Sequence, residues 1–197
     1  MSKIVVLGAG ISGHTAAAHL RRKLGKEHEV LVVSPNRNYQ WVPSNIWVGI
    51  GRMKSKEVIF PLEPLYKRKG IGYKQAKAVS FHPEGDSSEA KPYILVEGVF
   101  GDSLGKQEKV TYDYLINATG PKLAFDMTEG LVPETNKVYS VCTYDHAEKA
   151  SEALHKLIDH LKKSDKKSKI LIGTGHAKAT CQGAAFEYIL NVEKELQ

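Results

Sequence analysis

Hydrophobic residues in this chain come in short runs whose spacing changes along its length. Ile4-Val5-Val6-Leu7 and Val30-Leu31-Val32-Val33 are continuous and rich in β-branched residues, the pattern of strands buried on both faces of a parallel sheet. Between them, Thr15 to Leu24 is alanine-rich and helical in character. Val58-Ile59-Phe60-Pro61 leads into a short basic helix, Leu62 to Lys69, which Gly70 and Gly72 end. Tyr73 to Phe81 and Tyr93 to Phe100 are strand-like and separated by the polar turn 83–88, so a β-meander is expected over about 73–112. The run from Val110 through Ile116 predicts a further strand, closing in Ala118-Thr119-Gly120-Pro121. Ala147, Ala150, Leu154, Leu157, Ile158 and Leu161 then recur at helical spacing. They predict a helix from about Tyr144 to Leu161, with Thr143 as its N-cap and Asp145 in its first turn. Lys169 to Gly175 reads as a second strand and glycine turn, followed by a helix from about Cys181 to the end. The order is that of an α/β fold with a parallel sheet.

Length and charge narrow the classes. With 197 residues the chain holds one good-sized core, or one domain and the start of another. No apolar run approaches the ~20 residues that span a bilayer, and the first strand follows Met1 at once, so neither a transmembrane helix nor a cleaved signal peptide is expected. The formal charge of +6 gathers in Lys67-Arg68-Lys69 and in Lys162 to Lys169. Solvated loops and helix ends account for such clusters, and anionic lipid headgroups are the partner chemistry they admit. Nucleic acid is not expected, because no aromatic and basic interleaving or reader motif accompanies the charge. Cys142 and Cys181 form no CxxC and no metal-ligand spacing with histidine, so no metal is expected; each is either a core residue or a redox thiol.

The candidate chemistry starts at Gly8-Ala9-Gly10-Ile11-Ser12-Gly13, which follows the first strand and opens the first helix. Gly8 permits the tight turn, Gly10 lets a backbone approach a pyrophosphate, and Gly13 lets the helix pack near the strand. The helix N-terminus offers unpaired N–H groups to the phosphates, and Ala17 keeps the helix face small. The carboxylate that commonly ends the second strand and binds the adenosine ribose is missing; Ser34 or Asn36 serves more weakly, and Arg37 admits a 2′-phosphate. The stretch 38–49 holds both tryptophans, Trp41 and Trp47, and reads either as a wall for a ring system or as core packing. His14 and His19 read as packing or surface residues.

Four stretches together resemble the sulfide:quinone oxidoreductases, flavoproteins with two dinucleotide-binding domains. They are the glycine motif, Val42-Pro43-Ser44-Asn45-Ile46-Trp47-Val48-Gly49, Ala118 to Phe125 with Cys142 to Ala147, and Cys181 to Tyr188. The resemblance covers essentially the whole chain. It implies a Rossmann-like FAD-binding domain at 1–125 with the β-meander insertion, a connector with a helix at 126–168, and the first strand and helix of a second Rossmann-like domain at 169–197. It implies FAD on Gly8, Gly10, Ile11, Ser12, Gly13, Ser34, Pro43, Ser44, Asn45, Ala118, Thr119 and Gly120. Sulfide then delivers two electrons through the flavin to quinone, with Cys181 carrying sulfur, Cys142 near the site, and His146 and Glu187 managing protons. At a helix start, Cys181 would gain thiolate stabilisation from the dipole.

The family's third cysteine, its late Gly-Asp segment and its amphipathic C-terminal region are absent from this sequence. An N-terminal portion is therefore expected, soluble by itself, with weak FAD affinity and no turnover alone; the intact protein would lie on an anionic membrane surface through the missing part, and a homo-oligomer is compatible. In the second turn Lys178 stands where the third glycine would be, which argues against NAD there. Four other readings fit less of the pattern. These are the flavoprotein subunit of flavocytochrome c sulfide dehydrogenase, a type II NADH dehydrogenase-like enzyme, a non-catalytic nucleotide-binding module, and a structural remnant with both cysteines in the core.

Overall fold

A computed structural model of the chain describes residues 1–133, 135, 138–164 and 167–197. Parts of the expected connector at 126–168, and Lys166 of the second basic run, lie outside the described residues. The first elements are β1 (Lys3–Leu7), α1 (Ile11–Lys23), β2 (Glu29–Ser34), β3 (Asn38–Gln40), α2 (Asn45–Gly49), α3 (Ser55–Val58), β4 (Ile59–Pro61) and α4 (Leu62–Lys69). Then come β5 (Gly72–His82), β6 (Tyr93–Gly98), β7 (Gln107–Thr111), β8 (Tyr114–Asn117), α5 (Tyr144–Leu161) and α6 (Gln182–Leu196). They fall into two compact units, residues 1–40 with 60–121 and residues 41–59 with 122–197.

In the first unit six strands form one sheet in the order β7-β6-β5-β2-β1-β8. β1 pairs in parallel with both β2 and β8, and β2 pairs in parallel with the start of β5. β5 is long enough to belong to two systems. Its residues up to Gln75 extend the parallel sheet, and those from Ala76 on pair antiparallel with β6, with the register shifting between Ala78 and Ser80. β7 completes the expected meander.

The apolar runs divide cleanly between the two faces. Val6, Val30 and Val32 pack with Ala17 of α1 and with Leu62 and Tyr66 of α4. Val5, Leu7, Leu31 and Val33 pack with Ala76, Ile94, Val96 and Val110 of the meander. Both faces of β1 and β2 are thus covered, which is why these runs are apolar without alternation; each fully buried valine or leucine contributes roughly 1.5–3 kcal/mol. α4 ends where expected, at Gly70 in the left-handed region with φ of 67°.

The second unit is helical. α5 buries Ala147, Ala150 and Leu154 of its predicted stripe, against Val48 and Val58 at one end and Ile50 and Val192 at the other. Thr143 is the N-cap residue of α5 by position, yet its side chain makes no capping hydrogen bond. α2 buries Ile46 and Val48 and leaves Trp47 outside, 37% exposed, with Trp41 44% exposed. Core packing of the tryptophans is therefore corrected. The expected strand at 170–172 does not form either. A strand exists through its pairing, and no segment among the described residues pairs with it; Leu171 is 94% exposed and Ile172 packs near Ile50 and Leu154.

Candidate functional site

Three of the predicted residues meet at the C-terminal edge of the parallel strands. Gly8 has φ of 91°, and a Cβ there would overlap the Ala118 carbonyl oxygen. A Cβ on Gly13 would overlap the Gly8 carbonyl oxygen and lie 3.3 Å from Ala118 Cβ. Glycine at both positions, with small Ala118, is thus a packing requirement of the turn between β1 and α1. Gly8 N–H donates to the Val33 carbonyl and Ala118 N–H to the Leu7 carbonyl, each at 2.8 Å, so the turn is tied to both neighbouring strands.

Gly10 has a different role. Nothing lies within 4 Å of the place a Cβ would take, and its φ of −71° suits any residue. As N-cap of the 13-residue α1 it supplies no side-chain cap, and the first turn carries no acidic residue. The first N–H groups of α1, from Ile11, Ser12 and Gly13, are therefore left for an anion. Ile11 is 53% exposed, an apolar surface beside that open space.

Thr119 and Gly120 follow β8, Gly120 with φ of 71°. The sequence reading missed the residue that shapes this turn. Asn117 Oδ1 accepts from both the Thr119 N–H (3.2 Å) and the Thr119 hydroxyl (2.9 Å); an asparagine at a strand end is an Asx-turn signal and was available in the sequence. Ser34 is buried at the end of β2, where its Oγ accepts from the Asn36 N–H at 3.3 Å. The Asn36 carbonyl accepts from the Tyr73 hydroxyl at 2.6 Å. Arg37 lies over the Phe100 ring, 5.9 Å from its centroid.

His14 packs behind this turn. Its Nδ1 is 3.1 Å from the hydroxyl of the fully buried Tyr66, and its ring lies 5.0 Å from that of Tyr39 and 5.8 Å from that of Phe60. Burial, with Lys69 adding, pushes the imidazole below its ordinary value. Burial pushes the Tyr66 phenol well above the ordinary range, and the Tyr73 phenol, also beside Glu63, up to about 12.

The remaining candidates belong to the second unit. Pro43 and Ser44 lie in a 3₁₀ turn, and Asn45 is buried at the start of α2. Cys142 and Cys181 are both exposed free thiols, which corrects the reading of them as core residues. Cys142 immediately precedes the N-cap of α5, and Cys181 is the N-cap of the 15-residue α6. His146, in the first turn of α5, presents its ring to Phe125 at 5.4 Å, and its buried Nδ1 has no hydrogen-bond partner among the described residues. Burial would raise the neighbouring Asp145 carboxyl, but the nearby Thr143 side chain and the helix-start N–H groups, with His146 beside them, hold it below the ordinary value. Glu187 is exposed on α6. Among the described residues no hydrogen bond or ion pair joins the two cysteines to each other, to His146 or to Glu187.

Comparison with known proteins gives consistent matches. The family model described as pyridine nucleotide-disulphide oxidoreductase matches residues 2–180. The sulfide-quinone reductase of Aquifex aeolicus is 27% identical over 194 residues, which is 98% of this chain and 39% of that protein. The X-ray structure of the sulfide:quinone oxidoreductase from the same organism superposes with a TM-score of 0.80 at 26% identity, covering 100% of this chain and 40% of that one. The external alternative NAD(P)H-ubiquinone oxidoreductase B4 of Arabidopsis thaliana is 34% identical over 122 residues, 61% of this chain and 19% of that protein. The chain spans about two-fifths of the length of the Aquifex relative.

Proposed function

The chain belongs to the pyridine nucleotide-disulphide oxidoreductase family, and from that premise we propose that it carries the FAD-binding and sulfur-handling part of an enzyme that oxidises sulfide and passes the electrons to quinone. The residues at the β1–α1 turn fit the dinucleotide. The Gly8–Gly13–Ala118 packing fixes the turn, Gly10 leaves the space for a pyrophosphate, and the uncapped N–H groups of Ile11, Ser12 and Gly13 meet its charge. Ala118, Thr119 and Gly120 form a further part of this site, shaped by Asn117, and Ser34 stands on the ribose side. In the second unit, Pro43, Ser44 and Asn45 serve as the flavin wall.

FAD, when bound, supplies a two-electron relay between sulfide sulfur and quinone. The chain's own part is to hold sulfur and protons. Cys181 is the residue that carries sulfur: hydrosulfide is the nucleophile, attacking a disulfide or polysulfide sulfur held on Cys181 and displacing a thiolate, and the exposure of Cys181 at the start of α6 admits that small anion. Cys142 is a second thiol at the start of α5. His146, whose buried Nδ1 has no partner among the described residues, and the exposed Glu187 are the groups assigned to proton transfer. Quinone is a lipid-borne acceptor, so this reading has the enzyme working at a membrane surface; no helix among the described residues is long and apolar enough to cross a membrane.

The observation that carries the reading is the pair of exposed thiols at helix starts in a chain whose Aquifex relative, named a sulfide-quinone reductase, aligns along nearly its whole length. An anaerobic absorbance spectrum of the purified gene product tests it. Bleaching of the flavin band by sulfide, its return with a soluble quinone, and loss of the sulfide response in Cys181→Ser are expected. A flavin that ignores sulfide and bleaches with NADH overturns the reading.

A further inference from the structure

Gly49 closes α2, the helix that begins at Asn45, and it is buried. A Cβ at this position would lie 2.7 Å from Val141 Cγ1, next to Cys142 in the chain, and 3.1 Å from Tyr188 Cε2 on α6, the helix that Cys181 caps. One glycine is thus the point at which the three segments bearing Asn45, Cys142 and Cys181 touch. Its backbone is not in the left-handed region, so glycine is demanded here by space alone.

Tyr188 adds direction to that contact. Its hydroxyl donates to the Gly49 carbonyl at 3.0 Å, satisfying an acceptor that a five-residue helix leaves unpaired at its end. The ring packs with Ile50, Leu154 and Val192, so the core sets where the hydroxyl sits. Burial pushes the phenol up to about 12, and it therefore remains a donor throughout the neutral range.

We infer that Tyr188 is a positioning residue, tying the second turn of α6, the helix that Cys181 caps, to the end of α2 through the Gly49 carbonyl. The strut gives the helix that Cys181 caps a fixed base, which sulfur transfer at a defined distance requires. The inference rests on the reading of Cys181 as the sulfur carrier.

The test uses the full chain, with the alkylation rates of Cys181 and Cys142 by iodoacetamide measured separately by mass spectrometry from pH 6 to 9. Tyr188→Phe keeps the ring and deletes the donor. Loss of one such bond loosens the second turn of α6, behind the cap at Cys181, and the ratio of the Cys181 rate to the Cys142 rate is expected to change about fivefold. Gly49→Ala, if it folds, moves both rates, because its Cβ pushes on Val141 and Tyr188 alike. A ratio in Tyr188→Phe within about 1.5-fold of the parent, with only the thermal midpoint lowered, shows Tyr188 to be packing and overturns the inference. If the ratio shifts while Cys181→Ser keeps its response to sulfide, the strut stands and the sulfur-carrier reading falls.

Discussion

The glycine turns at Gly8–Gly13 and Gly173–Gly175 start from similar apolar runs, Ile4 to Leu7 and Ile170 to Ile172. Around the first, β1 is paired on both sides, by β2 and β8, and α1 begins one residue after Gly10. Around the second, no strand forms among the described residues, the Lys178 N–H is spent on His176 Nδ1 at 3.0 Å, and α6 does not begin until Gln182. An anion site therefore needs more than glycines: it needs neighbours that hold the turn and a helix that starts from it, so that free N–H groups aim into the open space.

Substitutions can break that contrast, and the largest effect belongs to Gly13→Ala. The added Cβ meets backbone at Gly8, which cannot yield, so a loss of about 3 kcal/mol or more in denaturant-measured stability is expected, together with FAD binding. Asn117→Ala removes the acceptor for two bonds in the Ala118–Thr119 turn. It should cost about 1 kcal/mol and weaken FAD binding without unfolding the chain, as titration of flavin fluorescence would show.

A smaller effect comes from His14 behind the first turn. Its imidazole titrates lower in the folded chain than its ordinary 6.5, so the unfolded chain takes up the proton first. Stability is fully present above about pH 6.5 and is lost as pH falls toward the folded value. Thermal midpoints measured from pH 8 to 5 should decline on the acid side, and His14→Gln should flatten that decline. The smallest effect is expected at the second turn, where nothing lies within 4 Å of a Cβ on Gly173: Gly173→Ala should change stability by less than about 0.5 kcal/mol.

Much of the first unit was legible because its signals are local. The unbroken runs of β1 and β2, the basic helix ended by Gly70, and the meander with its polar turn each follow from a few adjacent residues. So did the roles of Gly8 and Gly13, since a tight turn and a close helix approach both leave glycine as the only residue that fits. The failures are tertiary. Ile170 to Ile172 has the composition of a strand, but composition cannot supply a partner. The outward Trp47 depended on which face of α2 meets α5, and the Tyr188–Gly49 bond joins residues 139 positions apart. Asn117 is the exception, a local turn signal that went unread beside the more conspicuous Ala118-Thr119-Gly120.

The most direct test is an FAD titration, by flavin fluorescence, of the parent chain, Gly10→Val and Gly173→Val, with thermal midpoints recorded in parallel. Both glycines stand in open space, so neither substitution disturbs packing, and only Gly10 borders the uncapped start of α1. The account predicts that Gly10→Val keeps its midpoint and loses at least about tenfold in FAD affinity, roughly 1.4 kcal/mol, while Gly173→Val binds like the parent. Parent-like affinity in Gly10→Val, or loss of affinity in Gly173→Val alone, would contradict it.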